Sequence, residues 1–276
     1  MSTSRQKILV FDSGLGGLTV YRAIRALRPD ADYLYLGDDA LFPYGALAPD
    51  VLIARVNTVI GEAMGDFAAD CIVIACNTAS TLVLPHLRAR YTIPIVGTVP
   101  AIKPAASMTK TGMISVLATP GTVSRDYTQE LIRDFAGGVA VTLVGSKALA
   151  GLAERALRGE TIVDESIRAE IAPCFVEQDG KRTDVVVLAC THYPLLLVRF
   201  RRLAPWPVEW IDPAPAIARR VVQVIGESRV EGDGACRATF TAGVPAEASL
   251  LDALAVGGLR VISSAPAADA KGYTRG

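Results

Sequence analysis

The sequence of 276 residues is long enough for one large domain or two modest ones, with a substantial core. With 28 Lys and Arg against 28 Asp and Glu, the formal net charge is zero, which argues against nucleic-acid binding through a basic surface. A hydrophobic fraction of 51% and a charged fraction of 20% indicate a globular protein and exclude intrinsic disorder.

The first residues lead directly into an apolar segment without a secretory signal, and no apolar run approaches the roughly 18 residues that suggest a membrane span. We therefore expect a cytoplasmic protein with no membrane partner. The five cysteines are odd in number and have no CxxC spacing, so we expect neither a disulfide scaffold nor a zinc site. Because the chain has only two histidines, we expect no multi-histidine metal site either.

Short β-branched runs alternate with helical patterns along most of the chain. The predicted strands cover residues 7–12, 32–38, 71–76, 93–98, 113–119, 139–145, 184–190 and 208–212. Most are continuous apolar runs, which is typical of parallel strands covered by helices on both faces. Apolar residues spaced by three or four predict one helix from Leu52 to Phe67 and another from Tyr127 to Phe135, with Ser124 as the N-cap of the second. The alternation predicts an α/β protein with doubly wound parallel sheets.

The segment FDSGLGGLTV, residues 11–20, places three glycines between a predicted strand and a predicted helix. Glycine lets the backbone approach a ligand closely, and a helix N-terminus attracts an anion. The segment does not match a dinucleotide-binding fingerprint, because Thr19 occupies the third glycine position, and it lacks the lysine of a P-loop. An ordinary capped turn between strand and helix is the alternative.

Two motifs, ACNTAS at 75–80 and ACTHYP at 189–194, share one layout in which an apolar strand ends in Ala-Cys before a small polar residue. Cys76 and Cys190 would then lie at the carboxyl ends of parallel strands, where open α/β sheets bind ligands. A following helix N-terminus would favour the thiolate. The repeated layout suggests two similar α/β lobes. The alternative is that both are buried structural cysteines.

His192 follows Cys190 by two residues and could set the protonation state of a thiol. His86 is expected on the surface. The remaining cysteines are expected to be structural: Cys71 at the start of a strand, Cys174 in a helical stretch and Cys236 in a glycine-rich loop. In LGDDALFPYG, residues 36–45, a strand leads into a loop with two acids, and spacing alone cannot distinguish it from an ordinary turn with a surface tyrosine.

Together these segments resemble the glutamate racemases of the cofactor-independent aspartate/glutamate racemase superfamily. The resemblance rests on FDSGLGGLTV, GDxAxxPYG, ACNTAS, GTVPAIKPA and LACTHYPLL in that order, and it covers most of residues 7–225. It implies two flavodoxin-like lobes with an active site in the cleft between them. The implied division is residues 1–98 plus 211–265 for the first lobe and 99–210 for the second. The last residues, 266–276, are expected to form a disordered tail because the C-terminal segment is rich in Ala, Ser and Gly.

The resemblance implies that Cys76 and Cys190 are the two catalytic acid/bases, which interconvert L- and D-glutamate for peptidoglycan synthesis. Cys76 would serve the D-enantiomer and Cys190 the L-enantiomer, with no cofactor and no metal. It implies that Asp12, His192 and Glu154 assist the thiols. The implied substrate-binding residues are Asp12, Ser13, Tyr44, Gly45, Asn77, Thr78, Thr119, Thr122, Thr191 and His192.

The sequence departs from the family pattern at Asp39 and Leu41, at Pro213 and in the surroundings of Glu154, which concerns local loop shape and regulation more than the chemistry. Alternatives are an aspartate racemase or related isomerase with the same cysteines, a two-lobed amino-acid-binding protein, and a thiol redox protein. The lack of a secretory signal argues against the second and the lack of CxxC against the third. The expected partner is the small-molecule substrate, and the oligomeric state is left open between a monomer and a homodimer.

Overall fold

The computed structural model describes residues 4–226 and 230–262, and the predicted tail at 266–276 lies outside them. The described strands are β1 (Lys7–Asp12), β2 (Asp32–Gly37), β3 (Cys71–Ile74), β4 (Ile95–Gly97), β5 (Met113–Ala118), β6 (Ala140–Gly145), β7 (Glu177–Gln178), β8 (Lys181–Arg182), β9 (Val185–Ala189), β10 (Glu209–Ile211), β11 (Cys236–Phe240) and β12 (Arg260–Val261). The α-helices are α1 (Leu18–Leu27), α2 (Pro49–Phe67), α3 (Asn77–Arg90), α4 (Ile102–Met108), α5 (Pro120–Val123), α6 (Asp126–Phe135), α7 (Leu149–Leu157), α8 (Asp164–Ile171), α9 (Leu197–Leu203), α10 (Ala214–Ile225) and α11 (Ala248–Val256). Short 3-10 helices cover Asp39–Leu41, Tyr44–Ala46, Ala172–Cys174 and Tyr193–Leu196.

Two parallel sheets carry the fold, so the predicted α/β class is confirmed. The first has the strand order β12-β11-β2-β1-β3-β4 and the second β10-β9-β5-β6, with every pairing within them parallel. Strands β7 and β8 form a separate antiparallel pair. Alternate residues of β1 point to opposite faces: Ile8 and Val10 pack with α1, α10 and α11, and Leu9 and Phe11 pack with α2 and α3. Both faces are therefore covered by helices, which explains the continuous apolar runs.

The two sheets repeat one topology. In each, the strand that comes first along the chain lies between the second and the third, and the fourth lies beyond the third: β2-β1-β3-β4 in one and β6-β5-β9-β10 in the other. In this arrangement the connections diverge between the first and third strands, and the crevice at their carboxyl ends is where such sheets bind ligands. Cys76 follows β3 and Cys190 follows β9, so each lies at the equivalent crevice of its own sheet.

After β10 the chain returns to the first sheet, where α10 packs beside α1 and β11 pairs with β2. Ile211, the residue at which the predicted first lobe resumes, belongs to β10 of the second sheet and pairs with Val187 there. The lobe boundaries given above stay a prediction, and residues 263–265 of the first lobe lie outside the described chain.

Two local predictions are wrong. Cys236 does not lie in a loop but begins β11, which pairs with β2 through Cys236 and Tyr33. The strand was missed because its sequence, CRATF, is short and includes the exposed Arg237, so it lacks a continuous apolar run. Ser124 is not the N-cap of the helix at 127–135: it is the C-cap residue of α5, and Arg125 is the N-cap residue of α6. Among the described helices, none combines the length and apolar character needed to cross a membrane.

Candidate active site

Cys76 is the N-cap residue of α3. Its sulfur accepts a hydrogen bond from the Ala79 N–H at 3.5 Å and lies 3.6 Å from the hydroxyl oxygen of Ser13, which follows β1. Burial and then the neighbouring Asp12 carboxylate raise the pKa of Cys76 to about 12. The Ala79 N–H at the start of α3 does favour the thiolate, but the expected lowering of the Cys76 pKa is wrong, because burial and Asp12 outweigh the hydrogen bonds.

Cys190 follows β9, and a 3-10 helix, Tyr193–Leu196, comes next instead of the predicted α-helix start. Pro194 lies in the first turn of this short helix, where no N–H is required. The charged neighbour of the Cys190 sulfur is a side chain, His192, whose Nδ1 lies 3.8 Å away. The two cysteines thus have different surroundings: a backbone N–H and a hydroxyl for Cys76, and an imidazole for Cys190.

His192 and Glu154 form a buried pair behind Cys190. Nε2 of His192 lies 2.8 Å from Oε1 of Glu154, which comes from α7. Burial opposes the charged imidazole, yet the interactions with Cys190 and Glu154 raise the pKa of His192 well above its usual value. Burial also opposes the Glu154 carboxylate, and the hydrogen bond and charge of His192 outweigh it and lower the pKa of Glu154. The directions of these two shifts favour a charged pair, in which His192 lies between Glu154 and the Cys190 sulfur.

The glycines after β1 provide space for this pair. The Leu15 N–H donates to Oε1 of Glu154 at 2.6 Å, and the Gly16 nitrogen lies 3.1 Å from Nε2 of His192. A Cβ atom on Gly14 would lie 2.3 Å from the Glu154 carboxylate, and one on Gly16 would lie 2.4 Å from the His192 ring. Gly14 and Gly16 are needed because the side chains of Glu154 and His192 lie against their backbone. The sequence alone could not show these contacts.

Asp12 joins the two sheets at the same place. Its carboxylate accepts hydrogen bonds from the Thr191 hydroxyl at 3.0 Å and from the Gly14 N–H at 3.0 Å. Burial raises the pKa of Asp12, and the positive charge of His192 opposes that rise only in part. Thr191 comes directly after Cys190, so this bond fixes the end of β9 against the end of β1.

The hydroxyls of three threonines form a closed triangle, one from α3 after β3 and two from the segment after β5. Thr78 of α3 lies 2.9 Å from Thr119 and 3.2 Å from Thr122, which are 3.1 Å apart. Next to them, the side-chain amide of Asn77 is buried, and neither its nitrogen nor its oxygen meets a hydrogen-bond partner within the described residues. Because buried amides are nearly always paired, these atoms are available for a ligand.

Tyr44 is buried, so the interpretation of its loop as a turn with a surface tyrosine is wrong. Its hydroxyl donates a short hydrogen bond to Asp38. Gly45 packs so closely on Thr119 that a Cβ atom there would lie 3.1 Å from the threonine. This loop thereby forms one wall of the site against a residue of the other sheet.

These groups surround one small cavity. Its lining comes from both sheets: Ser13, Phe42, Pro43, Tyr44, Gly45, Cys76, Asn77, Thr78, Thr119, Ala150, Cys190, Thr191 and His192. Asp12, Glu154 and Thr122 contact this lining from behind through the hydrogen bonds described above. The structure therefore brings all the predicted site residues together and adds Phe42, Pro43 and Ala150. The Phe42 ring lies 5.3 Å from the His192 ring, and nothing in the sequence around Ala150 marked it.

The other predicted residues lie away from this cavity. His86 is exposed, as predicted. Cys71, Cys174 and Cys236 are buried and free, and none lines the cavity. Over residues 4–226 and 230–262, no three His, Cys, Asp or Glu side chains are grouped so that they could hold a metal ion.

Residues 18–221 match the family model described as Asp/Glu/Hydantoin racemase. The chain belongs to this family. It is 56% identical over 229 residues to the glutamate racemase of Brucella anthropi, covering 83% of this chain and 82% of the relative. It is 54% identical over 248 residues to that of Sinorhizobium medicae, covering 88% and 91%.

Solved structures of racemases have the same fold. The crystal structure of Escherichia coli glutamate racemase, in complex with L-glutamate and the activator UDP-MurNAc-Ala, superposes with a TM-score of 0.85 at 38% identity, covering 94% of this chain and 97% of that one. A Thermus thermophilus glutamate racemase with β-chloro-D-alanine gives a TM-score of 0.72 at 28% identity, covering 94% and 97%.

The glycine contact gives a direct test of how this racemase family member holds its site together. Gly16→Ala places a methyl group on the buried His192 and Thr191 side chains, so we expect it to lower the free energy of unfolding by about 1–3 kcal/mol, as overpacking does. Gly65→Ala is the control, because Gly65 is exposed in α2 with nothing within 4 Å of its Cβ position. It should be neutral or stabilising by up to about 1 kcal/mol. Urea unfolding curves of both variants decide the matter, and equal effects would contradict the contact.

Proposed function

We propose that this protein interconverts L- and D-glutamate by proton transfer at Cα between two cysteines, without a cofactor or a metal, and that the D-glutamate serves peptidoglycan synthesis in the cytoplasm. The main support is that Cys76 and Cys190 follow the third strand of two sheets with equivalent topology and line one cavity. Relatives above 50% identity that bear the name glutamate racemase add to it. In this proposal the two sheets are two lobes, and the cavity is the cleft between them.

Racemisation requires a base on one face of Cα and an acid on the other, with the roles exchanged in the reverse direction. The protonation described above suits one direction directly. Cys76, with a pKa raised to about 12 by burial, is a thiol and can donate a proton. The Cys190 sulfur lies on the other side of the cavity, 3.8 Å from Nδ1 of His192, which can exchange a proton with it. The Cys76 thiol would thus return a proton to the face opposite Cys190, to which the resemblance assigns the L-enantiomer.

The reverse direction needs a thiolate at Cys76. The substrate carries a cationic ammonium group, and a positive charge next to a buried sulfur favours its ionised form. The Ala79 N–H already donates to this sulfur, and the Ser13 hydroxyl, 3.6 Å away, can donate to it once the thiol has lost its proton. We therefore propose that the ammonium group of D-glutamate offsets part of the free-energy cost of ionising Cys76.

The carbanion formed at Cα is the difficult intermediate, and donors that face the α-carboxylate stabilise it. Ser13 and Thr191 offer hydroxyls, and the unpaired amide of Asn77 offers two N–H groups and an acceptor. The threonine triangle and the Tyr44–Gly45 wall are left to hold the side-chain carboxylate. The lining comes from a single chain, so this chemistry operates equally in a monomer or a homodimer.

The activity itself is the first prediction. Purified protein incubated with L-glutamate and no added cofactor should lose its circular dichroism signal as the racemate forms, and D-glutamate should give the mirror-image trace. L-Aspartate in place of glutamate distinguishes the sister activity, and faster loss with aspartate would overturn the substrate assignment. Activity that EDTA abolishes, or that appears only with added pyridoxal phosphate, would overturn the mechanism.

The two cysteines should fail in opposite ways when replaced. The serine hydroxyl holds its proton far more tightly than a thiol does, so it is a poor general base. The racemisation rates of Cys76→Ser and Cys190→Ser should therefore both fall by more than the roughly 10²–10⁴-fold that loss of one general base usually costs. Each variant, offered D- or L-glutamate deuterated at Cα in ordinary water, should still remove label from the enantiomer that faces its remaining cysteine. Cys190→Ser should therefore retain more exchange with D-glutamate and Cys76→Ser more with L-glutamate.

Cys236→Ser is the control for these variants, because Cys236 is buried in β11 away from the cavity. Its rate should stay within several-fold of the unmodified protein. Equal residual exchange of both enantiomers by both active-site variants would mean that one base serves both faces, and the two-cysteine mechanism would have to be abandoned.

A further inference from the structure

A buried ion pair lies behind the Tyr44–Gly45 wall of the cavity. Asp38, directly after β2, accepts two hydrogen bonds from Arg55 of α2, from Nη2 at 2.6 Å and from Nε at 2.9 Å. Both side chains are almost completely buried. Neither lines the cavity.

Asp38 binds two further hydroxyls. The Tyr44 hydroxyl donates to one carboxylate oxygen, and the Thr241 hydroxyl, just after β11, donates to the other at 2.6 Å. Burial and the Asp38 carboxylate raise the pKa of Tyr44, which keeps its hydroxyl a neutral donor. The carboxylate is therefore surrounded by donors from three different segments of the chain.

Thr241 also holds the loop itself. Its hydroxyl oxygen accepts the Ala40 N–H at 3.2 Å, so one side chain contacts both the carboxylate and the backbone that follows it. The Asp38 N–H donates to the Asp12 carbonyl at 2.8 Å, which fixes the beginning of the loop to the end of β1. The segment from Asp38 to Tyr44 is thus fixed at both ends.

The other side of this wall meets the second sheet. A Cβ on Gly45 would lie 3.1 Å from Thr119, and one on Gly121 would lie 3.0 Å from the Gly45 carbonyl. A small displacement of Tyr44 and Gly45 would therefore move the wall relative to the threonine triangle. An alternative, that the ion pair only stabilises the fold, does not explain why a buried carboxylate should accept the hydroxyl of a residue that lines the cavity.

We propose that Asp38, Arg55 and Thr241 are positioning residues that hold the Tyr44–Gly45 wall at the distance from Thr119 that substrate binding requires. This inference rests on the proposed function for its substrate. None of the three touches the cavity, so their effect should fall on KM and leave kcat nearly unchanged.

Thr241→Val is the main test, because valine keeps the shape and removes the hydroxyl. We expect KM for L- and D-glutamate to rise about 10-fold with kcat within about twofold, at the low end for losing a hydrogen bond to a charged group. Thr239→Val is the matched control: Thr239 lies in the adjoining strand β11, is buried, and its hydroxyl meets no partner among the described residues. It should leave KM unchanged.

The ion pair is tested by a single and a double variant. Arg55→Met leaves Asp38 buried and unpaired, so it should lower thermal stability and raise KM. Adding Asp38→Asn removes the uncompensated charge and should restore much of the stability while KM stays raised, because the Tyr44 hydroxyl has lost its carboxylate acceptor. A KM that recovers together with stability would reduce the pair to a structural role and overturn the proposal.

A second readout does not depend on turnover. Backbone amides of residues 39–46 should exchange hydrogen faster in Thr241→Val than in the unmodified protein, and not in Thr239→Val, as followed by mass spectrometry. If the unmodified protein had no racemase activity, the proposed function would be wrong, but the hydrogen-exchange result would still show whether Thr241 holds the loop. Active protein in which Thr241→Val changes neither KM nor exchange, or lowers kcat alone, would overturn the positioning role.

Discussion

The site depends on one contact: the buried pair of His192, which follows β9, and Glu154 of α7 lies against the glycine-containing turn after β1. Leu15 donates to the Glu154 carboxylate, and Gly16 lies against the His192 ring. The same turn carries Ser13 toward Cys76, while His192 faces Cys190. One turn therefore sets the position of both sulfurs, and any side chain at its glycines would separate the sheets at the point where the substrate must fit.

This contact also divides the chemistry unevenly between the cysteines. Burial keeps Cys76 protonated, with Asp12 adding to the effect, whereas Cys190 has an imidazolium that Glu154 holds in place. A racemase needs one acid and one base at a time, and two sulfurs in identical surroundings would not define which is which. The different surroundings of the two sulfurs contribute to that distinction, since burial favours the thiol form of Cys76.

Much of this could be predicted from the sequence. The apolar runs gave eight of the strands because buried parallel strands tolerate few polar residues, and the repeated Ala-Cys layout predicted two equivalent crevices. Strand β11 was missed because Arg237 interrupts its apolar pattern, and the thiolate prediction for Cys76 failed because burial depends on every neighbouring element. The roles of Gly14, Gly16 and Thr241 were equally invisible, since each contacts residues more than 100 positions away along the chain. Local patterns record strand and helix well, and they do not record which distant side chain will lie against a turn.

The central claim is that the proton removed from one face of Cα and the proton added to the other belong to different residues. The most direct measurement runs the reaction in D₂O from unlabelled L-glutamate, stops it at low conversion and determines the deuterium at Cα of the D-glutamate formed. The account predicts that nearly every product molecule carries solvent deuterium, because Cys76 donates a proton that has exchanged with solvent, while the remaining L-glutamate stays largely unlabelled. Product that retains the proton of the substrate would show that a single group carries it across, and would contradict the two-cysteine site.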